Sequence, residues 1–301
     1  MVKKNIGAEI AATGKGLISL MLLVLNTLFW CVPLYILAII KLLMPTRRLR
    51  IRLLKGLNRI ALAWIATNNW WIRHWLKPRV DIHLPDDLSS RAWWLVLVNH
   101  RSWIDIFILQ FALYGHTPMP RFFLKRQLIW IPVIGLAWWA LEFPFMRRYS
   151  RERLARDPGL AKRDLDTTRK MCKSAQEVPM AIYNFAEGTR FTSAKHIAQQ
   201  SPYNHLLKPK AGGSAQVIQL LGNRLAGIID ITLDYRQSST SFWAFLCGRS
   251  DDISLYARRL DIPDWMIGGD YSGDMMYKER FQAWLNALWH DKDRLLSRCS
   301  G

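Results

Sequence analysis

The chain has 301 residues, half of them hydrophobic, with 42 Lys and Arg against 23 Asp and Glu for a formal charge of +19. That length supports one large domain or two small ones with ample core, and the composition excludes a disordered or collagen-like chain. So positive a field draws polyanions (nucleic acid, anionic headgroups, phosphorylated substrates), and fifteen tryptophans tilt the choice towards a membrane–water interface. Cys31, Cys172, Cys247 and Cys299 form no CxxC pair. This argues against a zinc ribbon, a redox motif or a disulfide framework, and it suits a reducing compartment.

In chain order, the first signal is Leu17 to Ile40, 24 residues without a charge. As a helix this run is about 36 Å long, enough for a hydrocarbon core of roughly 30 Å. It is too long for a signal peptide, and a basic stretch follows it instead of a small-residue cleavage site. Pro33 predicts a kink and Asn26 a polar cost within it. Both a full span and a kinked re-entrant element fit. Lys41, Arg47, Arg48, Arg50, Arg52, Lys55 and Arg59 follow with no acid among them. They outweigh Lys3, Lys4 and Lys15, which predicts an inner-membrane protein whose later residues face the cytoplasm. Ile60–Ile72 has 13 uncharged residues, too few to span, and with Trp64, Trp70, Trp71 and Trp75 it reads as an interfacial helix. Residues 1–78 are therefore expected to form a membrane-anchoring region and 79–301 a catalytic domain.

Beyond Pro78, Trp93–Val98, Met180–Phe185 and Ala226–Leu233 are continuous apolar runs, the pattern of strands buried on both faces. Ile104–Leu113, Leu128–Leu141 and Asp164–Ser174 read as helices between them. The alternation predicts an α/β fold with a largely parallel or mixed central sheet flanked by helices. Phe281, Trp284, Leu285, Leu288 and Trp289 form the apolar stripe of a final helix that docks on the core.

Two groups of residues follow predicted strands, where α/β sheets bind ligands. After Trp93–Val98 comes Asn99-His100, with Asp105 five residues on from the histidine. Curled round a tight turn, the carboxylate would hold one imidazole nitrogen and present the other as a general base. A strand-end histidine merely satisfied by a nearby aspartate fits equally, since chance supplies about 0.4 such spacings. After Met180–Phe185 comes Glu187-Gly188-Thr189-Arg190, expected about 0.001 times by chance. Gly188 permits a tight turn and Arg190 offers a planar fork suited to phosphate. A solvated Glu187–Arg190 salt bridge is the plainer alternative.

Taken together, these motifs resemble the 1-acyl-glycerol-3-phosphate acyltransferases over roughly residues 93–235. Lys125-Arg126-Gln127-Leu128-Ile129-Trp130-Ile131-Pro132, Gly135 and Phe145-Met146-Arg147-Arg148 are similar to the second family block, and Ile228–Leu233 more loosely to the fourth. The resemblance implies transfer of an acyl chain from a thioester, acyl-CoA or acyl carrier protein, to the hydroxyl of lysophosphatidic acid at a bilayer. It assigns His100 as general base and Asp105 as its support. Arg190, Arg148 and Lys125 would hold the acceptor phosphate, and Glu187, Gly188 and Thr189 would orient Arg190 or substrate. No covalent intermediate, metal or cofactor is implied, and Gly212-Gly213-Ser214-Ala215-Gln216 is not a serine-esterase elbow.

Ala186 and Asp230 stand where the family usually has Pro, and Glu142 where many members have Gly. These departures bear on the acceptor, so another lysophospholipid is the alternative substrate. A non-enzymatic protein binding anionic lipid or nucleic acid would not require His100 and Asp105 at a strand end, so no nucleic-acid partner is expected. Arg121, Lys125, Arg126, Arg147, Arg148, Arg151, Arg153 and Arg156 either steer an anionic donor or form solvated surface. Trp130, Trp138 and Trp139 belong to the interface or to the core.

Overall fold

The computed structural model describes residues 6–146, 177–236, 240–250, 252–271 and 273–299. The predicted helix Asp164–Ser174 and Arg148 lie outside these residues. The apolar N-terminal run is one helix, α1 (Ile6–Leu43), which continues through Pro33. It is long and apolar enough to cross a membrane. Met44-Pro45-Thr46 then reverses the chain into α2 (Arg47–Trp71), which ends in a widened turn, Ile72–Leu76, and a left-handed Lys77.

The two helices pair antiparallel, and polar rungs fix their register. Asn26 Nδ2 donates to Asn68 Oδ1 at 2.8 Å, Trp64 Nε1 to Thr27 Oγ1 at 3.1 Å, and Trp75 Nε1 to Ser19 Oγ at 3.1 Å. Each such bond contributes about 0.5–1.5 kcal/mol and disfavours other registers. Asn26 is therefore a partner residue of the hairpin. Trp71 is buried against Phe245, whereas Trp70 stays exposed.

The hairpin also rests on the rest of the chain along its length. Lys15 Nζ reaches Leu76 O at 3.4 Å, Tyr35 donates to Val133 O, and Lys41 pairs with Glu142. Cys31, Leu34, Leu57, Ile65 and Ile72 share one core cluster with the sheet residues Trp94, Val96 and Val98.

The mixed sheet is as expected, with order β1-β8-β7-β2-β6-β3. The strands are β1 (Val80–His83), β2 (Trp93–Val98), β3 (Pro120–Phe122), β6 (Ala181–Phe185), β7 (Leu225–Asp234) and β8 (Ile253–Leu260). β7 and β8 pair antiparallel and every other pairing is parallel. Successive β2 side chains alternate between two cores. Trp94, Val96 and Val98 face the hairpin and α3 (Ile104–Leu113), while Leu95 and Leu97 face α6 (Gly212–Leu221) and α8 (Met275–Cys299). Both faces being covered explains the unbroken apolar runs. On α8, Phe281, Leu285, Leu288 and Trp289 are buried as the stripe predicts. Lys292 beside them is buried too, with Nζ 2.5 Å from Ile231 O and 2.5 Å from Asp230 Oδ1, the latter an ion pair outside aligned hydrogen-bond geometry. Asp230 also accepts from Arg258 Nε at 2.8 Å, so this departure from the family pattern serves the α8 contact.

Leu128–Leu141 is not one helix. A 3₁₀ segment, Arg126–Trp130, is separated from α4 (Ile134–Ala140) by Ile131-Pro132-Val133. Proline forces the preceding Ile131 out of helical backbone, to φ −67° and ψ 122°. Val133 takes φ +65°, a left-handed setting that costs a β-branched residue about 1–3 kcal/mol, and the Tyr35 hydroxyl bonds its carbonyl. Glu142 has φ +62°, which accounts for glycine at that place in the family pattern. Trp130 and Trp139 are exposed and Trp138 is partly buried. Further short elements are β4 (Leu124–Lys125), β5 (Phe145–Met146), α5 (Ser193–Gln199), α7 (Phe242–Leu246) and 3₁₀ turns at Gly222–Arg224 and Asp264–Met266.

A Cβ on Gly135 would stand 2.2 Å from the Ile129 carbonyl oxygen, whereas one on Gly14 would meet nothing within 4 Å. Gly135→Ala is expected to lose about 1–3 kcal/mol in thermal unfolding, and Gly14→Ala to lose none. Equal melting of the two variants would contradict this packing.

Candidate active site

The carboxyl ends of β2, β6 and β3 share one rim of the sheet, because these strands run parallel. Asn99, just beyond β2, ties that rim to β7 through both backbone groups of Leu233, at 2.8 and 2.9 Å. His100 follows, and the chain turns directly into α3, whose first turn carries Asp105. His100 Nδ1 lies 2.7 Å from Asp105 Oδ2.

Asp105 is fully buried yet well supplied with donors. Its Oδ2 also accepts from the backbone amides of Arg101 at 2.8 Å and Ser102 at 3.0 Å, and its Oδ1 from the Tyr235 hydroxyl at 2.5 Å. Every contact uses the carboxylate as an acceptor, so Nδ1 carries a proton, and in the neutral ring Nε2 keeps its lone pair. The ring is 17% exposed and stacks on Phe185 with centroids 4.1 Å apart. Orientation, tautomer and partial access together fit a general base.

The second loop follows β6, the strand beside β2. Gly188 has φ +71° and closes the turn by donating to Phe185 O at 2.8 Å. The Phe191 amide donates to His100 O at 2.8 Å and locks the two loops together. Thr189 Oγ1 and Arg190 O both accept from Lys195 Nζ at 2.9 Å. Arg190 is exposed, its guanidinium 4.6 Å above the exposed ring of Trp103. It faces solvent beside His100's loop. Lys125 is exposed three residues past β3 on the same rim, but no hydrogen bond or ion pair ties it to these residues. Arg148 falls outside the described residues. Arg121 is fully buried, with Nη2 donating to Asn58 Oδ1 at 3.0 Å, so it is no surface cation for steering a donor.

Glu187 departs from the expected pairing. No ion pair joins it to Arg190; it points inward, fully buried, and neither carboxylate oxygen has a hydrogen-bond partner. The amides of His100 and Leu207 face it without reaching hydrogen-bond geometry. Burial is the main cause that pushes its carboxyl from 4.5 up to about 8, despite the opposing pull of Arg101. The inward turn of Glu187 and the bond from Tyr235, 130 residues along the chain from Asp105, were not readable from local spacing.

Because the folded carboxyl ionises later than the unfolded one, its burial is without charge cost below about pH 4.5, and stability is lost as pH rises towards 8. Glu187→Gln should therefore gain melting temperature relative to wild type between about pH 5 and pH 8.5. A difference that stays constant over that range would contradict a neutral buried Glu187.

Comparison with known proteins bears on the same residues. The chain is 27% identical over 215 residues to mouse 1-acyl-sn-glycerol-3-phosphate acyltransferase gamma, covering 67% of this chain and 52% of that one. It is 26% identical over 213 residues to the human delta enzyme, covering 66% and 51%. The chain thus spans about half the length of these relatives. The crystal structure of the 1-acyl-sn-glycerophosphate acyltransferase PlsC from Thermotoga maritima matches with a TM-score of 0.50 at 16% identity, over 93% of this chain and 97% of that one, a likeness of fold. The model of the Acyltransferase family matches residues 79–235, which include both loops of the site, and the chain belongs to that family.

Proposed function

We propose that the protein is a membrane-bound acyltransferase that moves a fatty acyl chain from an acyl thioester to the free hydroxyl of lysophosphatidic acid, giving phosphatidic acid. The carrying observation is the 2.7 Å contact between partly exposed His100 and fully buried Asp105. Nε2 of His100 takes the proton of the acceptor hydroxyl as its oxygen attacks the thioester carbonyl carbon. Asp105 supports the imidazolium so formed. The tetrahedral centre then collapses, the carbon–sulfur bond breaks, and the imidazolium proton goes to the departing thiolate. Products are an ester and a free thiol, from either coenzyme A or a carrier protein. General-base help contributes about 10²–10⁴ in rate, and positioning of the two substrates must supply much of the rest. Arg190 would hold the acceptor phosphate, joined by Lys125 and Arg148.

An apolar cavity of about 100 Å³, room for only the first few carbons of a chain, is where the acyl group would enter. Trp30, Leu34, Ile106, Phe122, Trp138 and Phe143 are among its walls, between the hairpin, α3 and α4. Phe122 stacks 6.0 Å from Phe185, the ring that carries His100, so the cavity lies next to the reacting centre. The bilayer is the natural neighbour of α1, which leaves Leu25, Phe29, Val32, Ile36 and Ile39 exposed. Trp130, ahead of α4, and Trp139, within it, are exposed, and α4 packs on α1. The basic start of α2, with Arg48, Arg50, Arg52 and Lys55 exposed, suits anionic headgroups at about 1 kcal/mol per charge.

Purified protein in detergent should transfer oleate from oleoyl-CoA to lysophosphatidic acid, and folded His100→Ala should be slower by about 10²-fold or more. A folded variant with near wild-type turnover would overturn the reading. Turnover of a zwitterionic lysolipid in place of lysophosphatidic acid would move the acceptor and keep the chemistry.

A further inference from the structure

A second cavity, of about 850 Å³, opens on the other side of the Glu187–Gly188 turn. Its walls come from the segment after α5, the start of α6, and one face of α8. Lys208, Lys210 and Lys278 line it and, among the described residues, no acidic one does. Tyr271 contributes a ring, with Lys278 Nζ 6.0 Å from its centroid.

The walls are built and pinned. Gln282 donates to Pro209 O at 3.1 Å and to Asn286 Oδ1 at 2.8 Å, and its Oε1 accepts from the Ala211 amide at 3.3 Å. The Lys208 amide donates to Gln199 Oε1 at 3.2 Å. Ala211 and Gly212, at the start of the ten-residue helix α6, line the cavity, and no side chain caps that helix. A helix start with lysines around it attracts phosphate through both the dipole and the amides.

Its place relative to His100 is also fixed. The Lys210 amide donates to Ala186 O at 2.8 Å, and the Lys210 side chain passes 3.6 Å from where a Gly188 Cβ would stand. Across that turn lies the His100 loop, and beyond Phe185 lies the apolar cavity. The three sites follow in sequence: a cationic cavity, a general base, an apolar cavity.

We propose that the cationic cavity binds the phosphorylated nucleotide end of an acyl-CoA donor. The proposal rests on the acyltransferase reading and names its donor. Both substrates carry phosphate, but a phosphomonoester would fill little of this cavity. The nucleotide of coenzyme A brings a diphosphate and a separate phosphomonoester for three lysines, and a base to stack on Tyr271. A carrier protein offers one phosphodiester and no base.

The test uses the full chain in detergent and adenosine 3′,5′-bisphosphate as probe. Calorimetry should find that wild type binds the probe and that Lys208→Ala/Lys278→Ala does not. The same double variant should show a KM for oleoyl-CoA raised about tenfold or more, with kcat and the KM for lysophosphatidic acid unchanged. Arginine at both positions should restore the wild-type KM. Failure of wild type to bind the probe, or an unchanged KM for oleoyl-CoA in the alanine variant, would overturn the proposal. A rise confined to the KM for lysophosphatidic acid would overturn it too, by giving the cavity to the acceptor. If wild type transfers no acyl group from any donor, the acyltransferase reading fails, and probe binding still decides what the cavity holds.

Discussion

Burying the Asp105 carboxylate beneath His100 constrains everything around it. An ionised carboxylate out of water is costly unless donors surround it, and here the donors come from three places in the chain. The imidazole belongs to the end of β2, the Arg101 and Ser102 amides to the entry of α3, and the Tyr235 hydroxyl to the end of β7. They meet only if β2 and β7 are neighbours and α3 starts within a turn of the strand. Asn99 enforces the first condition by bonding both backbone groups of Leu233. The parallel order of β7, β2 and β6 then places the Glu187–Arg190 loop against His100.

The second buried carboxylate shows what happens when donors are withheld. Glu187 is as deeply buried as Asp105, yet its oxygens have no hydrogen-bond partners and its carboxyl is pushed up to about 8. Two acids, one in the first turn of α3 and one in the loop after β6, thus receive opposite treatment from the fold. On the proposed mechanism, Asp105 is supplied as an acceptor for a base that must hold one tautomer. Glu187 fills the wall between the His100 loop and the segment carrying Lys208 and Lys210, where neutrality suits its surroundings.

Features set by neighbouring residues were legible in the sequence. The His100–Asp105 spacing closes within one turn, so local geometry suffices. Trp93–Val98 reads as a doubly buried strand because both its faces are in fact covered. Features set by distant partners were not. Tyr235 contacts Asp105 across 130 residues, and nothing beside it announces a carboxylate. Glu187 and Arg190 invite a salt bridge by spacing, but the Gly188 turn sends one inward and the other out. The break at Ile131-Pro132-Val133 was signalled by its proline, yet the apolar periodicity on either side masks it. Asp230 and Glu142, which depart from the family pattern, answer to Lys292 and Arg258 and to Lys41, partners that only the folded chain brings near.

On the proposed mechanism, Asp105 acts by holding the His100 tautomer. Asp105→Asn keeps the size of the side chain but offers an N–H where acceptors are required. Acyl transfer from oleoyl-CoA to lysophosphatidic acid, compared at equal folded fraction, should fall about 10²–10⁴-fold in this variant. A folded Asp105→Asn protein working within threefold of wild type, about 0.7 kcal/mol, would contradict the account.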